Sequence, residues 1–556
     1  MFTNEQPMMS SDIQSRSDVL IVGAGPVGLT LAHELLRRGI QPRLIDKNSL
    51  PAQNTKALGV MARTLELLTP SGVAGELVTQ GVKVPAFSIY SEGRQLASFD
   101  FSRHVESAYP YVLMVPQPAV ESVLAQHVED LGGKIERGVE LVSLQQYTDG
   151  VEVLLRGADG VEERVWTRWL IGCDGAHSSV RHLVGATFVG KTFEQSFATG
   201  NVRMHWDIPG NQAFARLNHG NFIAYFPMPD GQHRFIIAYK PEDAPTGDIT
   251  LAEIQHAIDS CGPQGARASD PTWLARYQVN QRKVDRYVWQ RVALVGDAAH
   301  IHSPIGAQGM NTGIQDAFNL GWKLALIVQG KSPSTLLDSY ASERSAVGRQ
   351  LLVATGRLTN LALLQQPLIT ATRDAIAPRL TQMKKIQATF TATAAELSVS
   401  YRHSPLASEY REEKVKPLQT LLKSGDRAPD GPVTIGTAKK PGSLYALLNG
   451  TRHVLLIFLH QDNQTARHKL QSTLSEWQDW LDVYPILRSQ PHSKSKQAYY
   501  DPEGVLAARY GISDEGLILI RPDGYICLRS QPITVEPLQR YLATISYVAP
   551  TTVANE

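Results

Sequence analysis

The sequence predicts an α/β fold whose first domain carries an inserted antiparallel sheet and which ends in a separate α/β unit. Three observations carry this. Two short apolar runs, Asp18–Val22 and Pro42–Asp46, flank a glycine cluster and an amphipathic segment, which together make a βαβ unit. Alternating segments at Asn221–Phe226 and Arg234–Tyr239, separated by Pro229-Asp-Gly231, read as part of an antiparallel sheet. Beyond a polar, proline-bearing stretch from about Ser404 to Pro432, strand and helix patterns alternate again.

The chain has 556 residues, which at about 150 per domain suggests three or four packing units. Hydrophobic residues make up 43% and charged residues 19%, an ordinary globular composition. A net charge of +1 provides no basic field, so nucleic acid and anionic membrane are not expected partners. The three cysteines, Cys173, Cys261 and Cys527, are far apart, with no CxxC or Cys/His cluster. Neither a disulfide scaffold nor a metal site is expected. Residues 1–17 are polar without an apolar core segment, so a short disordered tail and a cytoplasmic protein are expected. The apolar stretch Leu351–Ala371 contains Arg357, Asn360, Gln365 and Gln366, and reads as a buried helix rather than a membrane span.

The first strand is followed by Gly23-Ala24-Gly25-Pro26-Val27-Gly28, a GxGxxG motif. The first glycine permits a tight turn, the second lets a pyrophosphate approach the backbone, and the third lets helix and strand pack closely. The helix that follows carries Leu31, Leu35 and Leu36 near one face and stops at Gly39. Its N-terminus supplies N–H groups and partial positive charge for phosphate. Asp46 closes the next strand, where a carboxylate can accept ribose hydroxyls, with Lys47 beside it. The unit is therefore Rossmann-like and predicts a dinucleotide site.

Two later apolar strands, Trp169–Gly172 and Val292–Gly296, each end in a charged motif. One is Asp174-Gly175, within a DGxxSxxR that includes Ser178 and Arg181. The other is Gly296-Asp297, followed by His300, Ser303-Pro304, Gly306 and Gly309-Met310-Asn311. Met310 and Asn311 open a long helix whose free N–H donors would stabilise an anionic reduced isoalloxazine at its N1–C2=O edge. Helix ends contribute about 0.3–1 kcal/mol when exposed and up to about 2 when partly buried.

The order and spacing of the three motifs resemble the group A flavoprotein aromatic hydroxylases, with the para-hydroxybenzoate hydroxylase-like fold, over residues 18 to 350. That resemblance implies FAD as bound cofactor, NADPH or NADH as transient donor, and O2 as co-substrate. Oxygen would reach an electron-rich aromatic ring from a C4a-hydroperoxyflavin. It implies that Asp297 contacts the ribityl chain and that Asp174 serves FAD and the nicotinamide. It puts Gln117 near the flavin, Lys56 near the pyrophosphate and Pro304 beside the reacting face, with Arg63 as a further candidate. The run Gly313–Leu324 matches the family's signature helix, with Asp316 and Asn319 as local hydrogen-bonding groups. His300 and His302 read as structural.

The resemblance further implies a thioredoxin-like C-terminal domain, as in the phenol and hydroxyphenylpropionate hydroxylase branch, here lacking CxxC. Its expected role is structural support or contact within a homodimer. Expected boundaries are a tail at 1–17, an FAD domain with helical extension at 18–190 and 286–400, and a substrate sheet at 75–115 and 191–285. A linker at 401–424 and the C-terminal domain at 425–548 complete the chain. By strand position, Arg203, His205, Arg216, Tyr225, Phe226 and Tyr239 are candidate pocket residues. Competing readings are an epoxidase, an antibiotic-modifying monooxygenase, a halogenase or a non-catalytic flavin binder. Trp206-Asp-Ile-Pro209 resembles only half of the halogenase WxWxIP signature, because Met204 stands at the first tryptophan.

Overall fold

A computed structural model describes residues 13–53, 55, 57–218, 221–239, 244–245, 247–302, 308–362, 367–414, 422–436, 441–460, 474, 477–488 and 499–547. The central strand Ser15–Val22 lies between Arg43–Asp46 and Glu162–Gly172, and both pairings are parallel. Val292–Leu294 and Ile135–Arg137 extend this sheet on either side, also parallel to their neighbours. A two-strand ribbon, Glu140–Gln146 and Val151–Arg156, joins it antiparallel through the first half of Glu162–Gly172. The last four residues of the first strand, Val19 to Val22, are buried, because parallel strands are covered on both faces. That strand starts at Ser15, so Ser15–Ser17 belong to the sheet and not to the expected tail; residues 1–12 lie outside the described residues.

The helices Pro26–Leu36 and Gly309–Val328 pack side by side under the sheet. Their close approach follows from glycine. A Cβ on Gly313 would come within 2.6 Å of Val27 Cγ2, and one on Gly321 within 3.1 Å of Glu34 Cβ. The helical extension consists of Leu336–Ala362, Pro367–Thr381 and Lys384–Ala394. Leu351–Ala371 is helical where described, but Val353 is 48% exposed, so this stretch is not buried throughout.

The inserted sheet has eight strands and is antiparallel except where Ala213–Asn218 runs parallel to Ala86–Ser91. Its long strands, Phe188–His205 and Arg267–Val284, form its spine. Of the expected 75–115 segment only Ala86–Asp100 joins it; Val82–Val84 and Val112–Met114 pair instead with Gly59–Val60 in a small sheet. No helix among the described residues is long and apolar enough to cross a membrane.

The C-terminal sheet centres on His453–Leu459, parallel to Leu481–Leu487 and antiparallel to Gly516–Ile520. The expected linker is in part an edge strand of this sheet: Ser408–Arg411 pairs parallel with Ile526–Gln531. The sequence pattern of the C-terminal unit also predicts a helix near Arg467–Trp480, of which residues 467–473 and 475–476 lie outside the described residues.

Candidate functional site

Parallel register brings the three motifs to one edge. Val22 pairs with both Gly172 and Ile45, and Gly172 pairs with Leu294. Each strand therefore ends level with its neighbours, and the chain leaves that edge through Gly23, Cys173-Asp174 and Val295-Gly296-Asp297. The ladder continues one step into the loops: Cys173 N–H donates to Val22 O at 2.8 Å, Val295 N–H to Gly172 O at 3.0 Å, and Gly23 N–H to Ile45 O at 2.8 Å. The carboxyl edge of a parallel sheet is where such folds bind nucleotides.

The glycines divide their tasks here. Gly23 has φ +105°, and a Cβ on it would lie 2.4 Å from Cys173 O. A Cβ on Gly28 would lie 1.8 Å from Gly23 O, so the helix can approach only with hydrogen at this position. Gly25 differs: a Cβ there would meet no atom within 4 Å, leaving open space at the start of a helix with no side-chain cap. Pro26 opens that helix, and its missing N–H costs nothing in the first turn.

Around this turn, Asp46 accepts Ala24 N–H at 2.8 Å on one oxygen and Asn48 N–H at 2.8 Å on the other. Lys47 is exposed beside it. Gln117 opens the helix Gln117–Asp130, accepts Ala57 N–H at 3.2 Å and donates to Glu121 at 2.8 Å. Glu121, one helical turn on, was not among the sequence candidates, although the four-residue spacing from Gln117 could have flagged it. Burial pushes its carboxyl up, against the Gln117 hydrogen bond, and Asp46 adds to the rise. Lys56 lies outside the described residues.

Asp174 caps the short helix Ser179–Leu183, accepting Ser178 Oγ at 2.5 Å and Val180 N–H at 3.1 Å. Burial raises its carboxyl above the usual range against those bonds. Arg181, the last residue of the same motif, crosses to donate to Ala298 O at 3.2 Å and so ties the second motif to the third. The sequence reading quoted it without giving it this role.

Asp297 sits in the one-turn helix Gly296–Ala298 and is exposed among buried neighbours. Its Oδ1 lies 4.0 Å from where a Gly309 Cβ would stand. The helix Gly309–Val328 starts there without a side-chain cap. Met310 is half-buried. Asn311 is buried, and its side chain accepts Met61 N–H at 2.8 Å and donates to Gly59 O at 2.9 Å. The side chain thus holds the strand Gly59–Val60 and the Met61 that follows it. Pro304 lies outside the described residues.

His300 is structural, as expected: Nε2 lies 2.7 Å from Asp316, which also binds Gly296 N–H and the Arg344 guanidinium. Burial alone would raise the Asp316 carboxyl, but Arg344 and then His300 hold it below the usual range. Arg63 is not a surface charge. It is buried against Glu66, the Asp523 carbonyl and the Tyr525 ring, where the C-terminal unit docks.

The inserted sheet has two faces, and strand alternation separates them. Tyr225, with Phe214, Phe235 and Ile237, packs under the helix Leu251–Cys261; Tyr239 hydrogen-bonds Glu253 on that helix at 2.5 Å. Arg216 belongs to this side too, over the rings of Tyr90 and Phe214. Arg203 and His205 are exposed, near Asp270 and Ser269. Of the six candidates Phe226 joins the cluster shared with the nucleotide domain, stacked on Phe87 at 6.0 Å and clustered with Leu58, Met61 and Met228. Tyr225, Tyr239 and Arg216 are corrected, because they pack on the helix side of the sheet; Arg203 and His205 alternate onto the Phe226 face, where they are exposed.

This arrangement fits a flavin dinucleotide. An open glycine turn suits the pyrophosphate, an exposed carboxylate at Asp297 suits a polyol, and an uncapped helix start suits the anionic edge of the ring. The fold and site thus define a dinucleotide-binding flavoprotein. Residues 16–355 match the family model described as an FAD binding domain. The chain is 33% identical over 537 residues to 6-methylpretetramide 4-monooxygenase of Streptomyces rimosus, covering 92% of this chain and 90% of that protein. It is 32% identical over 533 residues to pentachlorophenol 4-monooxygenase of Sphingobium chlorophenolicum, covering 92% and 93%. The solved anhydrotetracycline hydroxylase of Streptomyces rimosus superposes with a TM-score of 0.76 at 29% identity, over 96% of this chain and all of that one. The protein belongs to the FAD-dependent aromatic monooxygenases, and FAD is its cofactor.

Proposed function

We propose that the protein hydroxylates a phenolic or polyketide-like aromatic ring, taking electrons from NADPH or NADH and oxygen from O2. The observation that carries this reading is the contact between the apolar inner face of the inserted sheet and the nucleotide domain. Phe226, Phe87 and Met228 cluster with Met61, whose N–H is held by Asn311 at the start of the flavin helix. An aromatic wall therefore abuts the helix mouth. The relatives named for chlorinated phenol and for tetracyclic polyketide substrates support the same substrate class.

Bound FAD would supply the redox chemistry: two electrons from the nicotinamide reduce O2, with one oxygen atom going to the ring and the other leaving as water. The chain's own residues have the tasks of binding, orienting and excluding water. Gly23–Gly28 and the helix start after them take the pyrophosphate; Asp46 takes the adenosine ribose. Asp297 takes the ribityl hydroxyls, and the Gly309–Asn311 N–H groups steady negative charge at the ring's C2 carbonyl. The Phe226 side of the sheet orients the substrate.

Substrate-stimulated NADPH oxidation, screened over single-ring phenols and fused-ring polyketides, tests this. Coupled hydroxylated product is expected, and Phe226→Ala should raise KM while Tyr225→Phe leaves it unchanged. If no aromatic compound gives coupled product while reduced flavin reoxidises normally, the reading fails.

A further inference from the structure

Behind the start of the flavin helix, the chain leaving Lys384–Ala394 makes a sharp turn at Ala395 and Glu396. Gln308 Nε2 donates to Thr393 O at 3.2 Å, and Arg63 N–H donates to Ala395 O at 3.2 Å, so this turn is fastened to both neighbours. Glu396 has φ +59°, a left-handed conformation that is strained for a non-glycine residue. It is 4% exposed. Its carboxyl meets Thr312 Oγ1 at 3.3 Å and Gln315 Nε2, both in the first two turns of the helix Gly309–Val328.

The charged groups around it are already engaged with one another. Arg344, from Leu336–Ala362, binds Asp316, the Thr312 carbonyl at 3.0 Å and Tyr401 Oη at 2.7 Å. Asp316 takes His300 as well. Among the described residues no cation hydrogen-bonds Glu396. Burial raises its carboxyl to about 8, against the pull of Arg344, so the group is neutral at pH 7. A packing role alone gives no reason for an acid at this strained position.

We propose that Glu396 is a positioning residue of the flavin site: as a neutral acid it holds the first turns of the helix through Thr312 and Gln315, and its ionisation opposes negative charge on the reduced flavin. This rests on the reading that the Gly309–Asn311 N–H groups face the flavin. A carboxylate beside a helix N-terminus offsets part of that end's positive potential, and two negative charges couple strongly where water is excluded. Reduction of the flavin should therefore draw a proton onto Glu396 at alkaline pH.

The test is the midpoint potential of the FAD-loaded protein, titrated with redox dyes from neutral to alkaline pH. In the wild type the potential should fall more steeply with pH through the region near 8 and then return to its earlier slope. Glu396→Gln can accept from Gln315 Nε2 and donate to Thr312 Oγ1 but cannot ionise, and should give one slope throughout in the FAD-loaded protein. The same steepening in Glu396→Gln as in the wild type overturns the proposal. If that variant does not fold, the wild type decides alone: a straight line with FAD bound overturns it. A wild-type protein that binds no FAD would instead overturn the reading of the site.

Discussion

Asp316 accepts the backbone N–H of Gly296 at 3.0 Å, from within the buried helix that begins at Gly309. One carboxylate thereby fixes the distance between the Gly296-Asp297 turn and the helix start, the two sides of the candidate flavin cradle. Removing one partner of a buried ion pair leaves an uncompensated charge and costs about 3–5 kcal/mol. Asp316→Ala strands Arg344 in this way. It should lower the denaturation midpoint and the flavin-to-protein ratio together, measured by urea titration and absorbance.

Gly25 and Gly28 should separate binding from folding. Gly28→Ala puts a methyl group against Gly23 O and should cost more than about 4 kcal/mol, so that little folded protein is recovered. Gly25→Ala meets nothing in the protein and has an ordinary φ of −77°. Its stability should change by less than about 0.5 kcal/mol. FAD affinity should fall at least about tenfold, equivalent to about 1.4 kcal/mol, because the methyl group stands where phosphate approaches. Urea denaturation of the apo-protein measures the stability, and calorimetric titration with FAD the affinity.

The C-terminal unit should prove inseparable from the FAD domain. Arg521 donates to Glu343 at 2.6 and 3.0 Å and to Asp523 at 2.9 Å, while Lys323 and Asn319 of the flavin helix reach Glu343 at 2.9 and 2.7 Å. Burial would raise the Glu343 carboxyl, but Arg521 and Lys323 hold it well below its usual range. Arg521→Ala should destabilise the whole chain by about 3–5 kcal/mol. Two separate unfolding transitions, with the FAD domain unaffected, would contradict the network.

Stability should fall in mild acid. Burial, with Arg521 next, holds His453 neutral down to about 3, and burial holds His233 neutral to about 4. The unfolded chain takes up these protons near 6.5, so stability is lost as pH falls below that value and levels off near 3. Each histidine contributes a slope of up to about 1.4 kcal/mol per pH unit. His453→Gln should remove its share, read from urea midpoints at several pH values.

Much of the FAD domain was legible because its signals are local. GxGxxG, DG and GD each follow an apolar strand, and parallel register then brings the strand ends level without further information. The pocket residues were not legible. A strand pattern gives alternation but not which face turns inward, and Tyr225 and Phe226, adjacent in sequence, lie on opposite faces. The docking contact of Arg63 was not legible for a related reason. A charge in a helix reads as solvated unless its partner is known, and its partner Asp523 lies at the other end of the chain. Ser408–Arg411 reads as linker because it lies in a polar, proline-bearing stretch, and its four exposed residues show how an edge strand can carry such a composition.

The central claim is that three loops at one sheet edge hold FAD, and the flavin content of Asp297→Ala tests it most directly. Asp297 is exposed, so the variant should unfold cooperatively at a midpoint near that of the wild type stripped of FAD. The account predicts a folded protein purified largely without flavin beside a yellow wild type. Full flavin occupancy in folded Asp297→Ala would contradict it.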